Sequence, residues 1–160
     1  MASVLSFLES VSNWPPIAFI RDSQHAMPVV QSVHLVALTM VLATILVLNL
    51  RLAGLAMSDA PLSWLARQLR PWTVAGLVLV VLSGLLIFIG TPAKYLASNP
   101  FRFKMLALAL AVGCHFGLLR RVFSVDPRSR PRALNVVIAG MSLTLWFAIG
   151  WAGRAIAFVP

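Results

Sequence analysis

Acidic side chains are almost missing from this 160-residue chain, in which four Asp and Glu stand against thirteen Lys and Arg. The four, Glu9, Asp22, Asp59 and Asp126, all fall outside the long apolar runs. A carboxylate relay through a membrane therefore has no residues to run on, which argues against a proton-coupled transporter. Cysteine is scarce too. The single Cys114 cannot close an intrachain disulfide, and no CxxC pair offers a metal or redox site. GxGxxG, P-loop, HExxH and GxSxG patterns do not occur, so the common phosphate-cradling, zinc-hydrolase and serine-nucleophile signatures are excluded. The chain also lacks the internal repeat that builds many transporter sites.

What the chain does have is hydrocarbon. Hydrophobic residues make up 60% and the mean hydropathy is +0.92, more apolar surface than a soluble domain of this size can hide. A bilayer core of about 30 Å needs roughly 20 apolar residues per helix. Four runs suit it, at residues 29–50, 72–90, 105–119 and 133–151. The third is short and extends through Phe101 and Phe123 if Arg102, Lys104, Arg120 and Arg121 snorkel to the headgroups. The runs lack sustained period-2 alternation and are too long for barrel strands. The expected fold is all-α: an integral membrane four-helix bundle, one domain overall, with residues 29–160 as the transmembrane part and 1–28 as an interfacial N-terminal segment.

In SVLSFLESVSNWPP the apolar Val4, Leu5, Phe7, Leu8 and Val11 fall at helical spacing, with Ser3, Ser6, Glu9 and Ser10 opposite. This predicts a short amphipathic helix on the membrane surface, ended by Trp14-Pro15-Pro16. A cleaved signal peptide is not expected, because a basic n-region is absent and Glu9 interrupts the apolar run. Trp14, Trp64, Trp72, Trp146 and Trp151 lie near span ends, where aromatic rings anchor at the interface.

The loop between spans 1 and 2 carries Arg51, Arg67 and Arg70, and that between spans 3 and 4 carries Arg120, Arg121, Arg128, Arg130 and Arg132. The opposite side receives Arg21, Lys94, Arg102, Lys104 and Arg154. Eight positive charges against five place both termini outside the cytoplasm. The formal net charge of +9 reflects this asymmetry and contact with anionic lipid headgroups. Nucleic acid is not an expected partner, since the Arg120 to Arg132 loop is short and broken by proline.

Polar residues inside spans are costly in lipid unless they face the bundle interior. At 100° per residue, Gln31, His34, Leu38, Val41, Ile45 and Asn49 share one face of span 1; Lys104, Leu108, Ala111 and His115 share one of span 3; Asn135, Ser142, Trp146 and Gly153 align on span 4. Thr73, Gly76, Ser83 and Gly90 form a small-residue face on span 2. By helix rise, His34 lies about 7 Å inside one boundary and His115 roughly 16 to 21 Å below it. They make a poor bis-histidine haem pair. His34 shares its level with Gln31, Lys104 and Arg154. This defines a candidate pocket for haem b or a quinone head group, with the cations pairing with propionates or polarising a carbonyl. A metal or small-solute site is a further candidate, through His25, Met27 and His34 on one side, or through His115 at the depth of Met40, Met141 and Cys114.

The stretches PVVQSVH, LVLNLRLAGL, LRPWTVAGLVLVVLSGLLIF, NPFRFKMLALALA and SLTLWFAIGWAGRAIAF resemble a family of uncharacterised bacterial four-span inner-membrane proteins, from about residue 28 to 158. The resemblance implies the four-helix fold and an importance for His34, Arg51, Pro71, Gly84, Lys104 and Arg154. It brings no established activity. Asn49 stands where an aspartate is usual, removing an ion-pair partner for Arg51, and His25-Ala-Met27 replaces an aromatic-rich segment. The leading expectation is a non-enzymatic accessory or interaction subunit with a protein partner or copies of itself. The haem or quinone subunit and the metal or solute handler are the alternatives.

Overall fold

The computed structural model describes the backbone of residues 2–156 and side chains from residue 5 to 156. Four helices are long and apolar enough to cross a membrane: α3 (Ala26–Leu52), α4 (Leu62–Gly90), the span Asn99–Phe123, and α8 (Arg132–Ala155). Asn99–Phe123 consists of α6 (Asn99–Gly113), a π-helical turn (Cys114–Leu119) and α7 (Arg120–Phe123). Three short helices gather at one end: α1 (Ala2–Ser12), α2 (Pro15–Asp22) and α5 (Pro92–Ala97).

Local chemistry sets the boundaries. The Ser23 hydroxyl accepts from the backbone N–H of Ala26 at 3.1 Å, satisfying an amide at the start of α3. Pro28 sits in that first turn, where its missing N–H costs nothing. α3 ends in a Schellman motif: the Leu55 N–H reaches the Leu50 carbonyl at 2.9 Å, and Gly54 takes the required left-handed conformation at φ +71°. Arg51 Nε then donates to the Ala60 carbonyl at 2.7 Å and closes the connection.

α4 departs from expectation by starting at Leu62 and running through Pro71. Proline inside a helix removes one hydrogen bond, a loss tolerated near a membrane helix end where the freed carbonyl meets other donors. Arg67 and Arg70 therefore stand on helix rather than in a loop. Pro15 and Pro16 also do more than end a helix, for they occupy the first positions of α2. The N-terminal segment is docked on the bundle: Ser12 Oγ donates to the Gly90 carbonyl at 3.2 Å, and Arg21 Nη1 donates to Ser12 Oγ at 3.0 Å.

α3 lies at the centre, packing most extensively on α4 and also on α8, which in turn carries α6. Gly76 lets α4 approach α3 closely: a Cβ there would stand 2.8 Å from Val41 Cγ2. Across the same interface Thr73 Oγ1 donates to Thr44 Oγ1 at 2.9 Å. α4 and α6 meet chiefly at their ends. Stacked Phe88 and Phe101 rings, 5.4 Å apart beside Tyr95, join them at the Gly90 end, and α7 touches α4 at the arginine-rich end. One core cluster centres on Val41, Ile45, Ala111 and Trp146, the other on Leu48, Leu52, Leu65 and Phe123. Trp146 is thus a core residue and not an interfacial anchor, because the inward phase of α8 places it opposite α3, whereas Trp14, Trp64, Trp72 and Trp151 are exposed. No more than 33% of any span's most apolar window is buried, so the rest of that hydrocarbon surface needs lipid or a partner to cover it.

Candidate functional site

The inward faces of the spans carry two polar pairs, His34 with Ser83 between α3 and α4, and Lys104 with Gly153 between α6 and α8. His34 Nδ1 lies 2.9 Å from Ser83 Oγ. The Ser83 hydroxyl gives its own proton to the Leu79 carbonyl one turn back, so it accepts from His34 Nδ1–H. The imidazole then carries its lone pair on Nε2. Gly84 makes room for the ring: a Cβ there would sit 3.1 Å from His34 Cε1. Lys104 is partly buried, its Nζ 3.4 Å from where a Gly153 Cβ would stand. It forms no hydrogen bond or ion pair among the described residues. A histidine lone pair and an ammonium donor thus both lie on inward faces of the bundle.

Not every residue expected here arrives. Gln31 is exposed, because it stands 60° off the His34 direction, at the edge of the inward face near the helix start. Arg154 is exposed and lines a separate, largely apolar groove between α6 and α8 with Asn99, Phe103 and Trp151. His25 is exposed before α3, while Met27 packs its Cε against Gly90. With His34 turned to Ser83, these three do not converge as metal ligands. Met141 is 70% exposed, so the sulfur and imidazole set imagined around His115 is not assembled either. Among the described residues no group of three His, Cys, Asp or Glu side chains gathers for a metal.

Asn49 is wholly buried, its Nδ2 donating to the Ile45 carbonyl at 2.8 Å and its Oδ1 without a partner. Residues two apart lie on nearly opposite sides of a helix, so a carboxylate at 49 would not meet Arg51. The expected loss of an ion pair is therefore no loss. An amide at this position spares the core an uncompensated charge.

His115 lies on a different level from His34. His34 meets α4 at Ser83, whereas His115 lines a cavity with α4 residues Ala66 to Thr73, about 15 to 25 Å along the helix. This cavity, about 450 Å³, opens between α4 and the π turn and α7. Ser63, Arg67 and Arg70 line one wall, and Phe116, Arg120 and Ser124 the other. His115 is 7% exposed, with Phe116, Phe123 and Trp146 edge-on around it and its Nδ1 without a partner. Sequence reasoning missed this site by assigning Arg67 and Arg70 to a loop. The signal was the spacing Ser63, Arg67, Arg70, which is one helical face. The π turn, a feature frequent at functional sites, left no trace in the apolar pattern.

These elements define a multi-pass, four-helix membrane protein with one polar centre between its helices and a basic cavity at one end. The chain matches residues 23–159 of its length to the family of unknown function DUF6644, and it belongs to that family. Comparison with curated proteins and with solved structures gave no match.

Proposed function

We propose that this protein is a non-enzymatic accessory subunit of the bacterial cytoplasmic membrane, with both termini outside the cytoplasm, working by association with a protein partner or with copies of itself. The observation that carries this reading is how polar groups in the spans are used. Thr73 bonds to Thr44 and His34 to Ser83, each pair joining α3 to α4 at 2.9 Å. The Ser83–His34 pair has the composition of a nucleophile and base, but Ser83 is buried and its proton is committed to the Leu79 carbonyl. Such bonds fasten helices and leave the wide apolar exterior for partners and lipid. Cross-linking in native membranes followed by extraction in mild detergent tests this. A discrete assembly larger than the 17.4 kDa protomer is expected; a monodisperse monomer with no cross-linked neighbour contradicts it.

One observation favours a second reading, a redox subunit that receives haem b or a quinone head group. The His34 Nε2 lone pair and the partly buried Lys104 ammonium offer an acceptor or axial ligand and a cationic donor on inward faces of the bundle. An absorption spectrum and a quinone extraction of the purified protein separate the two readings.

A further inference from the structure

The cavity at the arginine-rich end stands apart from the His34 level and does not depend on how that level is used. Arg67 and Arg70 reach it from α4 and Arg120 from α7, with the Ser63 and Ser124 side chains beside them. No carboxylate lines it, and the one ion pair among the described residues, Arg21–Asp22, lies on α2. Three guanidinium groups around one cavity repel one another unless an anion sits between them. His115 supplies a second, independent sign. It is more than nine-tenths buried, is part of the cavity lining, and has a ring nitrogen without a hydrogen-bond partner among the described residues. A polar atom buried without a partner behind a cavity wall is rare and calls for an explanation. The remaining inner walls, Leu48, Phe116 and Phe123, are apolar.

We propose that this cavity binds a phosphate group, held by Arg67, Arg70 and Arg120 with the Ser63 hydroxyl beside them and His115 in the cavity wall. Guanidinium forks match phosphate oxygens in geometry and charge, and the Ser63 hydroxyl adds a neutral donor, while Ser124 Oγ donates to the Arg121 carbonyl at 2.8 Å. The cavity volume is in the range of small-ligand pockets, and its apolar inner wall accepts the carbon side of a phosphate ester. Basic pockets between membrane helices hold phospholipid head groups in this way, and a free phosphate meets the same donors.

The test uses the full-length protein in mild detergent and reads its thermal unfolding midpoint with three additions: phosphatidylglycerol, phosphatidylcholine and inorganic phosphate. A site for a lipid phosphate gives a larger rise with phosphatidylglycerol than with phosphatidylcholine and little with inorganic phosphate. A site for a free anion responds to inorganic phosphate at least as strongly. In either case Arg67→Gln and Arg120→Gln should each weaken the response about tenfold or more, as expected for a lost charge-assisted hydrogen bond. Arg128→Gln, which changes an exposed arginine outside the cavity, should leave it intact. No rise with any addition, or equal weakening by Arg128→Gln, overturns the proposal. If the cavity variants do not accumulate, native mass spectrometry of the parent protein decides: retained phospholipid or phosphate supports the site, and a bare protein at every collision energy sinks it.

Discussion

His34 and Ser83 face each other across α3 and α4 with 2.9 Å between Nδ1 and Oγ, and Gly84 clears the space the ring fills. The bond replaces two solvation shells that hydrocarbon cannot supply, yet interhelical hydrogen bonds in membranes contribute only about 0.6 kcal/mol on average. Ser83→Ala should therefore lower stability in detergent by about 0.5 to 1.5 kcal/mol. A double-mutant cycle with His34→Phe checks whether the loss belongs to this pair. Strict additivity of the two substitutions would mean that Ser83 and His34 are not energetically coupled.

Gly76 tests the helix contact itself. Alanine ordinarily favours a helix over glycine by roughly 0.5–1 kcal/mol. At 76 the added methyl would meet Val41 Cγ2 at 2.8 Å and the Ala37 carbonyl at 3.3 Å, so Gly76→Ala should destabilise by about 1–3 kcal/mol. Nothing lies within 4 Å of a Cβ at Gly140, so Gly140→Ala should be neutral or stabilising. Chemical unfolding of both variants in detergent checks the opposite signs.

These contacts were largely legible in the sequence, because a residue that must avoid lipid reveals its phase. Thr73, Gly76, Ser83 and Gly90 are all buried, as are Val41, Ile45 and Asn49. Periodicity, however, gives direction around an axis and says little about where an axis ends. Thus α4 begins well before its apolar run, and Arg67 and Arg70 gain a helical face that a loop would not have had. Gln31 failed for a related reason: the inward rule weakens near a helix end, where the bundle no longer covers the residue. The π turn rotates Phe116 and later residues relative to an ideal helix, and nothing in an apolar run announces that rotation.

Tyr95, on the short helix between spans, is the only tyrosine in the chain, and burial pushes its phenol above the ordinary value. The fold favours the neutral phenol. Its stability contribution is full below the unfolded pKa of about 10 and is lost as pH rises through the higher folded value. Phenolate absorbance should therefore appear at higher pH in folded protein than in denatured protein. Coincident titrations would show that Tyr95 is not sheltered beside Phe88 and Phe101.

Topology is open to direct measurement. Eight basic residues lie toward the arginine-rich end and five toward the other, which predicts that both termini face away from the cytoplasm. A C-terminal reporter active only outside the cytoplasm should give signal. Signal from a reporter active only inside would reverse the assignment and move the basic cavity to the opposite membrane face.

The polar centre sets the sharpest contrast between the readings of function. If it holds haem or quinone, His34→Ala and Lys104→Ala should each reduce the bound species in purified protein, since one removes the Nε2 lone pair and the other a partly buried ammonium that has no hydrogen-bond or ion-pair partner among the described residues. His115→Ala should not, because the α4 residues that share a cavity with His115 lie at least about 15 Å from Ser83 along the helix. Equal loss from all three variants would mean that the two histidines act at one site despite that separation. If instead His34 only fastens helices, His34→Gln should keep most of the thermal stability, because an amide also donates to Ser83 Oγ. In that case neither chromophore nor quinone should vary across the series. Retained stability in His34→Gln together with a lost chromophore separates ligation from packing, because the amide preserves the hydrogen bond to Ser83 while removing the imidazole lone pair.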